Sequence, residues 1–75
     1  MRDAMRNRRL EMKQSQTDIA RLMDVSPGFY ANIERGVKKP SADNLMLLEA
    51  IFGVPAAVLM KNEAPQDIPT EYADK

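Results

Sequence analysis

Apolar side chains along most of the chain recur with the three- and four-residue spacing of α-helices, and the alternation typical of β-strands is absent. Positions 5, 9 and 12 share one face of a first helix predicted over residues 3–13. Ile19, Ala20 and Met23 mark the buried face of a second helix. This pattern predicts an all-α protein built from short helices.

Polar and small residues predict where these helices begin and end. Ser15 and Asp18 have the spacing of a capping box, and Ser26 followed by Pro27 is typical of a helix start. Gly36 stands where a left-handed residue would end that helix. In the same way, we expect the second helix over 15–23, the third over 26–35, the fourth over 41–52 and the fifth over 55–61.

The length of 75 residues is enough for one domain, which we expect to occupy residues 1–61. A domain of this size buries only about 60% of the surface of its unfolded chain, so a partner subunit would add stability. Residues 62–75 are polar and acidic, and Pro65 and Pro69 interrupt any helical pattern. This tail is predicted to be disordered or to dock as an extended arm.

The composition excludes several classes of function. Without Cys or His, the chain has no disulfide, no thiolate or imidazole metal site and no imidazole base, so we expect neither an enzyme nor a bound cofactor. No apolar run, that of residues 45–48 included, is long enough to span a membrane. The N-terminal residues lack the apolar region of a signal peptide, which favours a cytoplasmic location.

The net charge is zero, but the charges are unevenly distributed. Residues 1–40 carry nine cations and five anions, whereas residues 41–75 carry two cations and six anions. Such asymmetry indicates a basic half that faces a polyanion, although scattered surface charge would give the same count.

The second and third predicted helices are joined by a turn of three residues, as in a helix-turn-helix. The stretch from Ser15 to Ser26 resembles the Cro/CI-type (Xre) helix-turn-helix family, whose fold is the five-helix, lambda-repressor-like DNA-binding domain. The resemblance covers roughly residues 5–60. It rests on the residues SQTDIARLMDVS at 15–26, Phe29-Tyr30, Ile33-Glu34-Arg35-Gly36, Pro40-Ser41, Leu45, Leu48, Phe52-Gly53-Val54 and Leu59.

The resemblance implies which residues contact double-stranded DNA. The base-reading positions of the family correspond to Pro27, Gly28, Phe29 and Asn32, and Ala31 lies close by as a further candidate. Of these, Asn32 is the one good hydrogen-bonding reader, since an Asn amide can bond both N6 and N7 of adenine. Phe29 has an alternative role in packing against Ile33. Phosphate contacts are expected from Gln16, Arg35, Lys38 and Lys39, with a solvated surface Gln as the alternative for Gln16.

The resemblance also implies a structural ion pair between Arg9 and Glu34, which would tie the first helix to the third. Because Arg9 lies on the same face as Met5, its charge needs a buried partner. Tyr30 occupies a position that is usually aliphatic, and we expect its ring to lie in the core.

The fourth helix is apolar nearly all round, so it needs burial on more than one side. This favours a homodimer. The alternative is a larger internal core closed by Ile68 and Tyr72 of the tail. The residues predicted at the dimer interface are Leu47, Ala50, Ile51, Val58 and Met60.

Two functions from different classes follow. The first is a transcriptional regulator, a repressor that binds a palindromic operator as a homodimer. The second is an antitoxin or another protein-binding role, in which the acidic tail covers a protein partner.

Overall fold

The computed structural model describes residues 1–61, and within them the chain forms five α-helices and no strand. The tail predicted from residue 62, including Ile68 and Tyr72, lies outside the described residues. The all-α, five-helix prediction is confirmed. The helices are α1 (Asp3–Glu11), α2 (Gln16–Met23), α3 (Pro27–Arg35), α4 (Ala42–Phe52) and α5 (Ala56–Leu59).

Three serines cap helix starts, as the sequence predicts. The Ser15 hydroxyl accepts from the Asp18 amide at 3.0 Å, and the Asp18 carboxylate accepts from the Ser15 amide at 2.9 Å, which completes the capping box. Ser26 and Ser41 each accept an amide three residues later, at 3.1 Å in both cases. Each cap satisfies an amide that has no partner inside its helix.

The first helix ends two residues earlier than predicted. Lys13 adopts a left-handed conformation, with φ of 59°, where glycine is the common residue. The Lys13 amide donates to Leu10 and the Gln14 amide to Arg9, so a Schellman motif stops α1 after Glu11.

The fifth helix is also shorter than predicted. The segment predicted over 55–61 is helical only at Ala56–Leu59. At its end the Lys61 amide donates to Val58, three residues back, so the helical bonding pattern closes there.

The core lies where the helices meet. The α2 and α3 helices pack closely on each other, and α1 contacts α3, α4 and α5. None of the helices described here is long and apolar enough to cross a membrane. The buried apolar residues are Met5, Ile19, Ala20, Met23, Tyr30, Ile33, Leu48, Phe52 and Leu59.

Two charged side chains stabilise α4 and α5. The Arg8 guanidinium donates to the Phe52 carbonyl at 2.9 Å, which satisfies an acceptor at the C-terminal end of α4. The Glu49 carboxylate accepts from the Ala56 amide at 2.6 Å and so caps α5. The Arg8 bond joins residues 44 positions apart and ties the end of α4 to α1, whereas the Glu49 bond spans seven residues and ties α5 to α4.

Candidate nucleic-acid interface

The two central helices have the connection of a helix-turn-helix. Residues 24–26 join α2 to α3, and Asp24 is left-handed with φ of 60°. Asp adopts this conformation more readily than most residues because its short polar side chain can hydrogen-bond locally. The Val25 amide donates to the Ala20 carbonyl at 3.0 Å, which closes the end of α2 and directs the chain into α3.

The α3 helix has two opposite faces. Tyr30, Ile33 and Glu34 are buried on one side. Positions 28, 31, 32 and 35 are spaced three and four residues apart and therefore form a stripe on the opposite side. We call Gly28, Ala31, Asn32 and Arg35 the reading face.

The candidate base-reading residues differ in exposure. Pro27 and Gly28 are exposed at the start of α3, and a Cβ added at Gly28 would meet nothing within 4 Å. Ala31 and Asn32 are half-buried. Phe29 is partly buried and packs against the core, as its alternative role requires. The structure thus places Asn32 on the reading face, whereas Phe29 lies at its flank.

Three exposed cations lie at the end of the reading face and in the loop after it. Arg35 ends α3, and Lys38 and Lys39 lie in the loop before α4. The Val37 and Lys38 amides both donate to the Asn32 carbonyl, at 2.9 and 3.1 Å, which folds the loop back against α3. The predicted phosphate-binding cations therefore occupy a segment with a defined backbone.

The predicted ion pair is present inside the domain. Arg9 donates to Glu34 through Nε at 2.7 Å and through Nη2 at 3.1 Å, and the Glu34 side chain is almost fully buried. The Tyr30 hydroxyl donates to the same carboxylate at 2.9 Å. Because a buried carboxylate is stable only when its oxygens are hydrogen-bonded, this network determines how α3 sits on α1.

The network shifts the pKa of its members. Burial alone would raise the pKa of Glu34, but the hydrogen bonds from Arg9, Gln16 and Tyr30 and the charge of Arg9 outweigh it, so the pKa is lowered. Burial, and then the charge of Glu34, raises the pKa of the Tyr30 hydroxyl far above its ordinary value. The carboxylate is therefore charged and the phenol neutral at physiological pH.

Gln16 belongs to this network as well. Its side-chain amide donates to Glu34 Oε1 at 2.9 Å, so it is neither simply solvated nor wholly available to DNA. An amide NH₂ group has two hydrogens, and this bond uses one of them. A phosphate contact from Gln16 would use the other hydrogen or the backbone amides at the start of α2.

Sequence reasoning missed Arg2, which is only 5% exposed. Its backbone amide donates to the Glu34 carbonyl at 2.8 Å, and its Nη1 donates to the carbonyls of Ile33 and Lys38. A signal was available, because position 2 extends the buried pattern of positions 5, 9 and 12 by three residues. Arg2 was missed because that pattern contains a charged residue and because the resemblance to the helix-turn-helix family begins only near Met5.

The predicted dimer residues fall into two groups. Leu47 on α4 is 41% exposed and Val58 on α5 is 45% exposed, and Ala50 on α4 is exposed as well. Ile51 and Met60 are partly buried and pack against the core of their own domain. Only the first group is free to make apolar contacts outside the domain without rearrangement.

The family model described as HTH_3, helix-turn-helix, matches residues 5–59, more than two thirds of the chain. No curated protein and no solved structure shows significant similarity to the chain.

Proposed function

This chain belongs to the helix-turn-helix family HTH_3, of the Xre, lambda-repressor-like type. On that premise we propose that it is a transcriptional regulator that binds double-stranded DNA in a sequence-specific manner. The second helix of such a motif enters the major groove and reads base edges with its outer side chains. The proposal is carried by the reading face of α3, which lies opposite the buried Glu34 network and is followed at once by Lys38 and Lys39.

The role we propose for each residue follows from its position on or near α3. Asn32, in the middle of the reading face, discriminates adenine, while Pro27, Gly28 and Ala31 allow close approach or contact a thymine methyl group. Arg35, Lys38 and Lys39 bind phosphates and set the position of the helix in the groove. With so few polar readers, DNA shape contributes to the choice of site.

We further propose that the regulator is a repressor that acts as a homodimer on a palindromic operator. The exposed apolar side chains of Leu47, Ala50 and Val58 support this, because a small domain gains stability from covering such residues. A two-fold dimer would place its two α3 helices about 34–36 Å apart, which corresponds to half-sites about 10 base pairs apart.

Selection of bound sequences from random double-stranded DNA tests the function. We expect enrichment of an inverted repeat whose half-sites are about one helical turn apart. The Asn32→Ala variant, put through the same selection, should lose preference at one position of each half-site. Recovery of unselected DNA by the unaltered protein would refute sequence-specific binding.

The apolar residues of α4 and α5 also support a second candidate, in which they bind another protein, as in an antitoxin. Selection from random DNA tests only whether the protein binds a specific DNA sequence, and it does not test whether these residues bind another protein. Sedimentation of the purified protein completes the test, since self-association at these residues predicts a dimer in the absence of any other protein.

A further inference from the structure

Arg2 joins the N-terminal end of α1 to the C-terminal end of α3 and the loop after it. One guanidinium nitrogen, Nη1, donates both to Ile33 in the last turn of α3 and to Lys38 in the loop, the second bond at 2.9 Å. The Arg2 backbone amide donates to the Glu34 carbonyl at 2.8 Å. Arg2 thus contacts three backbone carbonyls within residues 33–38.

These contacts suit an arginine. The last carbonyls of a helix have no partner within it and carry partial negative charge, so a cation at this end is favourable. The cost is considerable, because burial lowers the pKa of the Arg2 guanidinium and its Nε lies buried without a hydrogen-bond partner among the described residues. An apolar side chain would avoid that cost but would leave the Lys38 carbonyl without this donor.

Hydrogen bonds hold the Lys38 backbone at both its amide and its carbonyl. Its amide donates to the Asn32 carbonyl at 3.1 Å, and its carbonyl accepts from Arg2. The side chains of Lys38 and Lys39 remain exposed. The loop backbone is therefore fixed while its cations are available to a ligand.

We propose that Arg2 is a positioning residue for DNA binding, which holds residues 36–40 so that Lys38 and Lys39 meet the phosphate backbone. The inference rests on the proposed function. Arg2 itself is buried and acts through the loop. Such support from a neighbouring residue determines how precisely a binding group is placed.

The test compares Arg2→Met with Arg8→Met in the full-length protein. Arg8 is the matched control, because its guanidinium also donates to a carbonyl at a helix C-terminus, but at the end of α4. Both variants remove one positive charge and the hydrogen bonding of a guanidinium to a helix end. Circular dichroism first establishes a temperature at which each variant is folded.

Binding to the selected operator is then measured over a range of salt concentrations. We expect Arg2→Met to weaken binding roughly tenfold. The plot of its log affinity against log salt should become less steep, by about 0.9 in slope for each phosphate that the loop no longer binds. Arg8→Met should keep the slope of the unaltered protein. Equal slopes for all three proteins would overturn the inference, because a role in stability alone does not change how many phosphates the protein neutralises.

A double-mutant cycle locates the effect. When Lys38 and Lys39 are both replaced by Ala, the further change Arg2→Met should have little effect on DNA affinity, since the groups it positions are gone. Additive losses would overturn the inference. Arg2→Lys keeps a donor at this position and should restore part of the affinity; binding no better than that of Arg2→Met would count against positioning by hydrogen bonds.

Hydrogen exchange without DNA separates this inference from the proposed function. Arg2→Met should speed exchange at the Val37 and Lys38 amides and leave the Gly53 amide, at the end of α4, unchanged. Unchanged exchange at Val37 and Lys38 would overturn the inference whatever the protein binds. If the exchange changes as expected but the unaltered protein does not bind DNA, the proposed function fails while the structural role of Arg2 stands.

Discussion

Arg9 on α1 donates to both oxygens of the Glu34 carboxylate on α3, through Nε at 2.7 Å and Nη2 at 3.1 Å. Tyr30 and Gln16 supply the remaining donors, so the carboxylate is charged and fully hydrogen-bonded inside the domain. The orientation of the reading face therefore depends on a polar network on the opposite side of the same helix.

Removal of this carboxylate should destabilise the domain severely. We expect Glu34→Ala to lower the free energy of unfolding by about 3–5 kcal/mol, because it leaves the Arg9 charge buried without its partner. Thermal and urea unfolding measure the change. Glu11→Ala is the control, since Glu11 forms only an exposed pair with Arg8, and its loss should stay within about 0.5 kcal/mol. A loss below about 1 kcal/mol for Glu34→Ala would contradict a structural role for the pair.

The same network predicts a pH dependence at the acidic end. The pKa of Glu34 is lower in the folded than in the unfolded chain, so its contribution is complete above the unfolded pKa and is lost as pH falls through the folded pKa. The difference in unfolding free energy between the unaltered protein and Glu34→Gln should therefore be constant near neutrality and shrink below about pH 4. Chemical unfolding at a series of pH values measures it. A difference that persists undiminished to about pH 2 would argue against a charged Glu34 as its source.

Gly28 and Gly53 should respond oppositely to replacement by alanine. A Cβ meets nothing within 4 Å at either site, but Gly53 has φ of 66° and Gly28 lies in regular helix. Gly28→Ala should stabilise the fold by roughly 0.5–1 kcal/mol, whereas Gly53→Ala should cost about 1–2 kcal/mol. If the Gly28 backbone approaches DNA, the stabilised Gly28→Ala variant should also bind the operator less tightly. Unchanged operator affinity would place Gly28 away from the DNA.

Asn32 and Lys38 should have separable roles in binding. Asn32→Ala should lose about 1–3 kcal/mol on the selected operator and little on random DNA. Lys38→Ala should weaken binding to both and reduce the salt slope by about 0.9. Titrations against both DNAs at several salt concentrations distinguish the two. Identical behaviour of the two variants would mean that Asn32 does not read a base.

Dimerisation should depend on the exposed leucine of α4. Leu47→Glu places a charge among apolar side chains at the proposed interface, and we expect a monomer with weakened operator binding. Leu22→Glu is the control, because Leu22 is also exposed, at 58%, but lies on α2. Analytical ultracentrifugation at matched concentrations measures both. A Leu47→Glu variant that remains dimeric would move the interface elsewhere.

The sequence predicted most of the fold because helix ends depend on local chemistry. The hydroxyls of Ser15, Ser26 and Ser41 act on amides three residues away, so a short window of sequence contains the whole signal. The end of α1 was predicted two residues too late. Lys13 adopts a left-handed conformation that a lysine side chain does not predict. The hydrogen bond from Arg9 Nη1 to the Gln14 carbonyl contributes to holding this turn.

The contacts of Arg2 could not be predicted in this way. They join residues that are 31 and 36 positions apart, and they exist only once α1 and α3 have packed together. The Arg9–Glu34 pair also joins distant parts of the sequence, yet its prediction is confirmed by the geometry. That prediction came from the family resemblance together with the need of a buried charge for a partner.

The separation of the two faces of α3 has a consequence for how such a protein diversifies. The side chains of Tyr30, Ile33 and Glu34 are buried and stabilise the fold. Asn32 contributes to the fold through its backbone carbonyl, which every amino acid possesses. Under the proposed function, mutations on the reading face can therefore alter the preferred operator and leave the core intact. A lineage of such domains can acquire new target genes by drift at a few positions, and the same positions are the natural ones to randomise when the domain is retargeted by design.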